Sequence, residues 1–300
     1  MLLIIDQIIT ALMLGTIYAL IASGYSLYSG ILKVINISHA DVCFLGAFIS
    51  MAVVTYFPKI GFLPVWLLLL FAMLITGLFG IVFEKIFIKP FRKSTNLIML
   101  LSTFAAGIII REGIKIFFPS GASPKLFPLS FPDWQFMIGN VTIRFGNIMI
   151  IIIAGIIYLL LSIFINYTKI GLQMRATSQN MDAALRIGID LDKIFMITFF
   201  LGSIIGMVAG VLNGMYYSII KYNMGQTVGI IGFSAAIMGG LGNIYAAIFG
   251  GMVLGLVESL TAAFIPGGSP YKEIFAFLVV IFFLLFKPSG LFGKKTIEKV

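Results

Sequence analysis

The chain has 300 residues, 60% of them hydrophobic and 10% charged, and its formal net charge is +9. Soluble domains carry about 25% charged residues, so this composition excludes a soluble globular protein and predicts a polytopic membrane protein. The positive charge would suggest nucleic-acid binding in a soluble protein, but here the lysines lie between apolar runs, and we expect no nucleic-acid partner.

Continuous apolar runs follow one another along the chain. They reach roughly 17–25 residues, the length of a membrane-crossing helix, and do not alternate as barrel strands do, so they predict a helical bundle. The run at 223–257 is too long for one helix and is interrupted by GGLGN (239–243), so we divide it into a short segment near 226–240 and a helix near 244–264. The predicted fold class is all-α: a polytopic transmembrane bundle of eight or nine segments, some short or broken, in a single domain over 1–300. The other runs lie at about 7–32, 42–57, 60–83, 94–110, 147–165, 194–220 and 273–286.

The first polar cluster is NISHAD, which begins at Asn36 between the first two apolar runs. Ser38 and Asp41 have the spacing of a capping box, which predicts a helix that runs to about Tyr56. Polar groups at membrane depth are also candidates for a substrate path, so we consider Asn36, His39 and Asp41 as path residues. Capping does not require His39, and we expect it to line the path or to contact a partner.

The chain gives no sign of a metal or cofactor site. It contains one histidine and one cysteine, which exclude an internal disulfide and a metal cluster. It has no G-x-x-x-x-G-K-[ST] phosphate loop and no soluble catalytic domain. We therefore expect no metal, no cofactor and no enzymatic activity.

Two charged residues, Arg111 and Glu112, end the fourth apolar run. Their adjacency predicts a self-neutralising pair at the membrane interface. The connector that follows, about 119–146, contains four prolines and should be rich in turns rather than form a domain.

The connector at about 166–193 differs from the others, because its middle favours a short helix over roughly 176–187. Asn180 could cap a turn at its start and Gly188 could end it. Asp190 is a plausible N-cap for the next span. Two interpretations stay open: an amphipathic connector on the lipid surface, or a coupling helix that seats on a cytoplasmic partner. The second assigns the contact to Arg175, Asp182, Ala183, Ala184, Arg186 and Gly188.

Glycines repeat at helical spacing in the last third of the chain. Four of them form a small-residue stripe, which predicts close packing of the helix that carries it. They are Gly202, Gly206, Gly210 and Gly214. Gly251 and Gly255 share one helix face with Glu258, whose carboxylate either pairs across a packing interface or lines the path. The GGLGN stretch suggests a break at membrane depth, and a second break near 30–41 hints at an internal repeat.

Basic residues predict the orientation, because cytoplasmic loops are enriched in lysine and arginine. Most of them lie in four stretches: 30–36, 85–96, 166–193 and 287–300. We therefore expect these stretches, and the C-terminus, to be cytoplasmic.

Five segments in the same order resemble the H-type permease family of branched-chain amino-acid ABC importers: 15–48, 83–92, 172–214, 233–260 and 287–300. Within the third, Asp182-Ala183-Ala184 and Gly188 resemble the E-A-A-x-x-x-G signature of importer permeases, with aspartate in place of glutamate. The family often has N-F-A-H-G-E where this chain has N-I-S-H-A-D.

The resemblance implies a bacterial inner-membrane permease subunit that translocates branched-chain amino acids and does not itself hydrolyse ATP. Its implied partners are a paralogous permease, two cytoplasmic ATPase subunits, an extracytoplasmic binding protein and membrane lipid. Related permeases serve urea and short amides, which stay open as substrates together with other amino acids. An ion-coupled secondary transporter, with Asp41 or Glu258 as the proton-linked carboxylate, is a further alternative.

Overall fold

The computed structural model describes residues 2–56, 64–138 and 141–292. It is 78% helical and 3% strand, because the apolar runs satisfy their backbone groups within each helix. The helices are α1 (Leu2–Leu32), α2 (His39–Tyr56), α3 (Val65–Phe83), α4 (Asn96–Phe117), α5 (Phe145–Tyr167), α6 (Lys169–Gln179), α7 (Met181–Arg186), α8 (Leu191–Tyr217), α9 (Met224–Gly239), α10 (Ile244–Phe264) and α11 (Lys272–Phe286).

Short elements complete the chain. A π-helical turn over Glu84–Ile88 and 3-10 turns over Lys89–Phe91 and Ser269–Tyr271 connect helices. Four short strands form two antiparallel pairs at one end of the bundle, which we call the strand end; the opposite end carries α6 and α7 and is the α6–α7 end. Strand β1 (Lys125–Leu126) pairs with β4 (Ile219–Ile220), and β2 (Gln135–Ile138) pairs with β3 (Val141–Arg144).

Eight helices within the described residues are long and apolar enough to cross a membrane, and α9 is a shorter apolar helix. This confirms the predicted polytopic helical bundle of eight or nine segments. The division of the 223–257 run is also confirmed, since α9 ends at Gly239 and α10 begins at Ile244. The tail at 293–300, which carries most of the predicted basic C-terminal stretch, lies outside the described residues.

The bundle contains two halves with the same order of elements and opposite directions. Each half begins with a long helix, α1 or α8, which ends at a residue with positive φ: Lys33 at 57° and Ser218 at 56°. A short non-helical segment follows, and then a shorter helix, α2 or α9. Two further helices complete each half, α3 and α4 in the first and α10 and α11 in the second. This order agrees with the internal repeat that the interruptions suggested.

The two halves exchange contacts crosswise. Helix α1 packs against α9 and α10 of the other half, whereas α8 packs against α2 and α3. The pairs α1–α8 and α2–α9 also contact each other, as expected for elements beside a pseudo-twofold axis. The core is therefore built from both halves together.

Glycines allow the closest of these approaches. A Cβ atom on Gly251 or Gly255 would collide with the α1 backbone at Ala19 or Gly15, so these two helices meet backbone to backbone. On α8, the glycine stripe faces side chains and backbone of other elements: Gly202 lies against Tyr28, Gly206 and Gly210 against Cys43, and Gly214 against Phe127.

The break at membrane depth that the GGLGN stretch suggested is wrong in its position. Residues 240–243 form a turn between α9 and α10 at the α6–α7 end, where a Cβ on Gly242 would lie 3.1 Å from Gly30 Cα. The chain instead leaves helical conformation at 218–223, between α8 and α9. No glycine marks that segment before Met224, so its sequence lacked the signal that we used.

The connector before α8 contains two helices rather than one. The predicted start at 176 is wrong, because residues 169–179 form α6 and the second helix, α7, begins only at Met181. The caps are as predicted. Asn180 Oδ1 accepts a hydrogen bond from Ala183 N at 3.0 Å, and Asp190 Oδ1 accepts one from Lys193 N at 3.1 Å. Gly188, at a φ of 85°, ends α7.

Candidate functional site

The starts of α2 and α9 meet inside the bundle. The Asp41 carboxylate in the first turn of α2 packs against Gly107, halfway along α4, and a Cβ on Gly225 would lie 2.7 Å from Asp41 Oδ1. From this point α2 runs toward the strand end, where Phe48 contacts Phe118, and α9 runs toward the α6–α7 end. Two helix N-termini, which favour negative charge, therefore adjoin the same carboxylate.

Asp41 forms an ion pair with Arg111 of α4. The distance from Arg111 Nη1 to Asp41 Oδ2 is 2.7 Å, and the two side chains are 15% and 5% exposed. The second carboxylate oxygen, Oδ1, is buried and has no hydrogen-bond partner among the described residues. The ion pair therefore leaves one carboxylate oxygen of Asp41 able to accept a further hydrogen bond, in a region where an unpaired charge is costly.

A cavity of about 210 Å³ adjoins this pair. Its polar side is formed by Asp41, Arg111 and Gln226, and aromatic and aliphatic side chains form the remainder. Such a site can offer a carboxylate to a cationic group, a guanidinium to an anionic group and an apolar wall to a hydrocarbon side chain. The apolar residues are Ile37, Phe104, Ile230 and Phe233, with Tyr25, Gly225 and Gly229 beside them.

The predicted capping box does not form, although α2 begins and ends as expected. Ser38 Oγ donates a hydrogen bond to Asn36 Oδ1 at 2.8 Å instead of accepting one from the helix. Asp41 pairs with Arg111 rather than with the backbone before the helix. Asn36 is 1% exposed and closes the turn into α2 through this bond.

The predicted Arg111–Glu112 pair is also wrong. Arg111 turns inward to Asp41, while Glu112 Oε2 lies 3.0 Å from Lys115 Nζ on the exposed face of α4. Adjacent residues on a helix point about 100° apart, so they do not face each other. The sequence did carry a signal for the Asp41–Arg111 ion pair, namely an aspartate and an arginine that each lie at the edge of a separate apolar run.

His39 lies in a closed aromatic environment. Its ring is 0% exposed and meets the rings of Tyr25 and Tyr28 edge-on, with centroid distances of 4.9 and 5.3 Å. Its Nε2 atom lies 3.6 Å from Cys43 Sγ, and a Cβ on Gly24 of α1 would collide with it. The ring therefore fills the space between α1, α2 and α8, and its position favours a packing role over the predicted role in lining a path.

Replacing His39 with alanine should destabilise the protein by about 3 kcal/mol, since it opens a cavity between three helices. Thermal unfolding of the purified protein measures the change, and Cys43→Ser, in the same cluster, serves as a mild control. If the alanine variant had normal stability but had lost transport, the packing role would be contradicted and His39 would again be a candidate path residue.

Glu258 lies away from this site, in the interface between α1 and α10. It is 1% exposed, its Oε1 lies 2.6 Å from Lys272 Nζ, and Tyr18 donates a hydrogen bond to its Oε2. Of the two interpretations of this carboxylate, the position favours pairing across a packing interface.

The α6–α7 end carries the predicted coupling residues. Ala184, on the inward face of α7, is 2% exposed. Leu185, also on α7, and Ile187, directly after it, are 59% and 74% exposed. These two apolar side chains were not among the predicted contact residues, because the signature that resembles importer permeases does not include them. The remaining predicted residues of this group, Arg175, Asp182, Ala183, Arg186 and Gly188, are exposed.

Comparison with known proteins covers almost the whole chain. The family model described as "Branched-chain amino acid transport system / permease component" matches residues 7–284. The chain is 32% identical over 302 residues to the high-affinity branched-chain amino acid transport system permease protein BraD of Pseudomonas aeruginosa, covering 99% of this chain and 98% of BraD. It is 31% identical over 305 residues to the corresponding LivH of Escherichia coli, covering 99% and 97%.

A more distant relative belongs to a differently named group. The chain is 25% identical over 247 residues to the probable branched-chain amino acid transport permease protein LivM of Methanocaldococcus jannaschii, covering 77% of this chain and 70% of LivM. No solved structure matches the chain.

Proposed function

Because this chain belongs to the family of permease components of branched-chain amino acid transport systems, we propose that it is the membrane subunit of a binding-protein-dependent ABC importer. It translocates branched-chain amino acids across the bacterial inner membrane and leaves ATP hydrolysis to partner subunits. The partners are a LivM-type paralogous permease, two cytoplasmic ATPases and an extracytoplasmic binding protein. The C-terminus and the α6–α7 end lie in the cytoplasm.

The observation that carries this proposal is α7. It is a six-residue helix fixed by caps at both ends, and exposed apolar side chains lie on it, at Leu185, and directly after it, at Ile187, at the predicted cytoplasmic end of the bundle. A connector that only joined two spans would not need a capped helix with Leu185 and Ile187 directed outward. Exposed apolar groups on a rigid element are typical of a docking surface.

The substrate path passes the cavity beside Asp41 and Arg111. An amino-acid zwitterion has an ammonium group that Asp41 Oδ1 can accept and a carboxylate that Arg111 can bind, and the apolar wall suits a branched side chain. Urea and short amides carry neither charge, so the ion pair supports an amino acid over them. As an importer subunit it receives most of its selectivity from the binding protein.

The secondary-transporter alternative finds less support. Both carboxylates considered for proton coupling are paired with cations, Asp41 with Arg111 and Glu258 with Lys272. Each carboxylate therefore already has a counter-charge from the protein itself, which a coupling cation would have to displace.

Reconstitution tests the proposed function. The permease pair, the ATPases and the binding protein in proteoliposomes should take up leucine only with ATP inside and binding protein outside. Urea should not be taken up. Uptake of leucine by the permease alone, driven by a proton gradient, would contradict the proposal.

A further inference from the structure

A second, larger cavity lies at the α6–α7 end, far from Asp41. It measures about 930 Å³ and is enclosed by α1, α5, α6 and α10. Its residues fall into three groups, namely cations at the rim, neutral hydrogen-bonding side chains and an apolar wall. The function proposed above assigns no role to it.

The rim is positively charged. Lys33, just after α1, and Arg175, on α6, both line the cavity, and none of its lining residues is acidic. One nitrogen of Arg175 donates to the Asn166 carbonyl at 3.3 Å, which positions the guanidinium and leaves its other donors available. Neither cation has an ion-pair partner among the described residues. Two cations without a counter-charge favour an anionic ligand.

Neutral donors complete the polar side. Ser26 is 1% exposed, and its Oγ is buried without a hydrogen-bond partner among the described residues. On the opposite wall, Tyr245 OH lies 2.9 Å from both Ser162 Oγ and Asn166 Nδ2, which ties α10 to α5. A buried hydroxyl without a partner, in a cavity lined by fixed polar groups, indicates a ligand that supplies acceptors.

The wall that α5 and α10 form carries side chains that reach the outer surface of the subunit. Leu159 and Tyr245 line it and are 61% and 59% exposed. Only 17% of the most apolar stretch of α5 is buried in the subunit, so most of the surface of this apolar helix faces away from the subunit. A small soluble anion would leave this apolar wall unused.

We propose that this cavity binds an anionic phospholipid, with the phosphate between Lys33 and Arg175 and the acyl chains along Leu159 and Ile248. Arginine binds phosphate oxygens through two parallel hydrogen bonds, and Ser26 can donate a third. Basic pockets between membrane helices on the cytoplasmic side suit acidic headgroups. The lipid would join α1, α5, α6 and α10 next to the coupling element.

Native mass spectrometry of the purified subunit tests the proposal. Detergent micelles that contain equal amounts of phosphatidylglycerol and phosphatidylcholine should yield a one-to-one complex with phosphatidylglycerol. The double variant Lys33→Gln/Arg175→Gln should retain it about tenfold less, because each basic residue near the surface contributes to the attraction of anionic lipid. A control, Lys169→Gln/Lys193→Gln, removes the same charge at the same end, outside the cavity, and should retain the lipid.

Three results would overturn the proposal. Equal loss in both double variants would mean that general surface charge holds the lipid. Equal retention of the two lipids would mean that the headgroup charge is not recognised. Displacement of phosphatidylglycerol by millimolar inorganic phosphate, with no effect of Leu159→Asn, would identify a site for a soluble anion. Size-exclusion profiles of all variants exclude misfolding as the cause.

Discussion

Replacing Ile187 with aspartate should abolish co-purification of the ATPase subunits while the permease itself remains folded. Ile187 is 74% exposed and lies directly after α7, so a charge there costs the isolated subunit little. In a docked complex the same carboxylate would be buried in an apolar groove without a partner, at a cost of several kcal/mol. Pull-down of tagged permease and ATP-dependent uptake of leucine both measure the effect.

The structure selects this position over those that the signature suggested. Ala184 is buried, so its replacement would disturb the packing beneath α7, and Gly188 has a φ of 85°, so its replacement would strain the backbone. Leu172→Asp provides the control, because Leu172 on α6 is likewise an exposed apolar residue at this end, with 59% exposure against 74% for Ile187. If Ile187→Asp retained the ATPases, or if Leu172→Asp lost them equally, α7 would not be the docking element.

Neutralising the buried ion pair should stop transport even where stability is restored. Removing the charge of Arg111 alone leaves Asp41 unpaired in the bundle, which costs about 3–5 kcal/mol. The double variant Asp41→Asn/Arg111→Gln removes both charges, so its thermal midpoint should recover most of the way toward that of the original protein. Leucine uptake should stay abolished, because the cavity no longer offers a charge to either end of a zwitterion.

A second buried pair supplies the control. Glu258→Gln/Lys272→Gln removes the same charges from the contact between α10 and the first residue of α11, at a place that adjoins neither cavity. Its thermal midpoint should be lowered about as much as that of Asp41→Asn/Arg111→Gln, and its leucine uptake per folded complex should be unchanged. Normal uptake in Asp41→Asn/Arg111→Gln would refute the assigned path, and loss of uptake in the Glu258 variant would restore that carboxylate as a path residue.

Local features of the sequence were sufficient to predict the membrane-spanning helices and the caps of α7 and α8. Apolar length predicted the spans, and short polar side chains predicted the caps at Asn180 and Asp190, because capping depends on residues within one turn. The same reasoning failed for Ser38 and Asp41. Their capping-box spacing is genuine, but an arginine 70 residues away competes for the carboxylate. A charged partner in a region with little water is a stronger attraction than a backbone N–H.

The site depends on contacts that no short stretch encodes. The proximity of Asp41, Arg111 and Gly225 results from the meeting of α2, α4 and α9, which belong to different halves. The segment at 218–223 escaped prediction because it contains neither glycine nor proline. Its course depends on the packing of β4 against β1, a pairing between residues nearly a hundred positions apart. The polar residues could be identified from the sequence, but their partners could not.

The crosswise exchange of helices has a consequence for synthesis of the protein. Helix α1 enters the membrane first, yet the helices that cover it, α9 and α10, are among the last to be made; Tyr18 and its partner Glu258 are 240 residues apart. Until then, the glycine-lined face of α1 has only lipid or insertion machinery to contact, and contacts so distant in sequence form slowly. Assembly of the core must therefore wait for the C-terminal third of the chain, so a truncated chain that ends before α9 would insert without completing its fold.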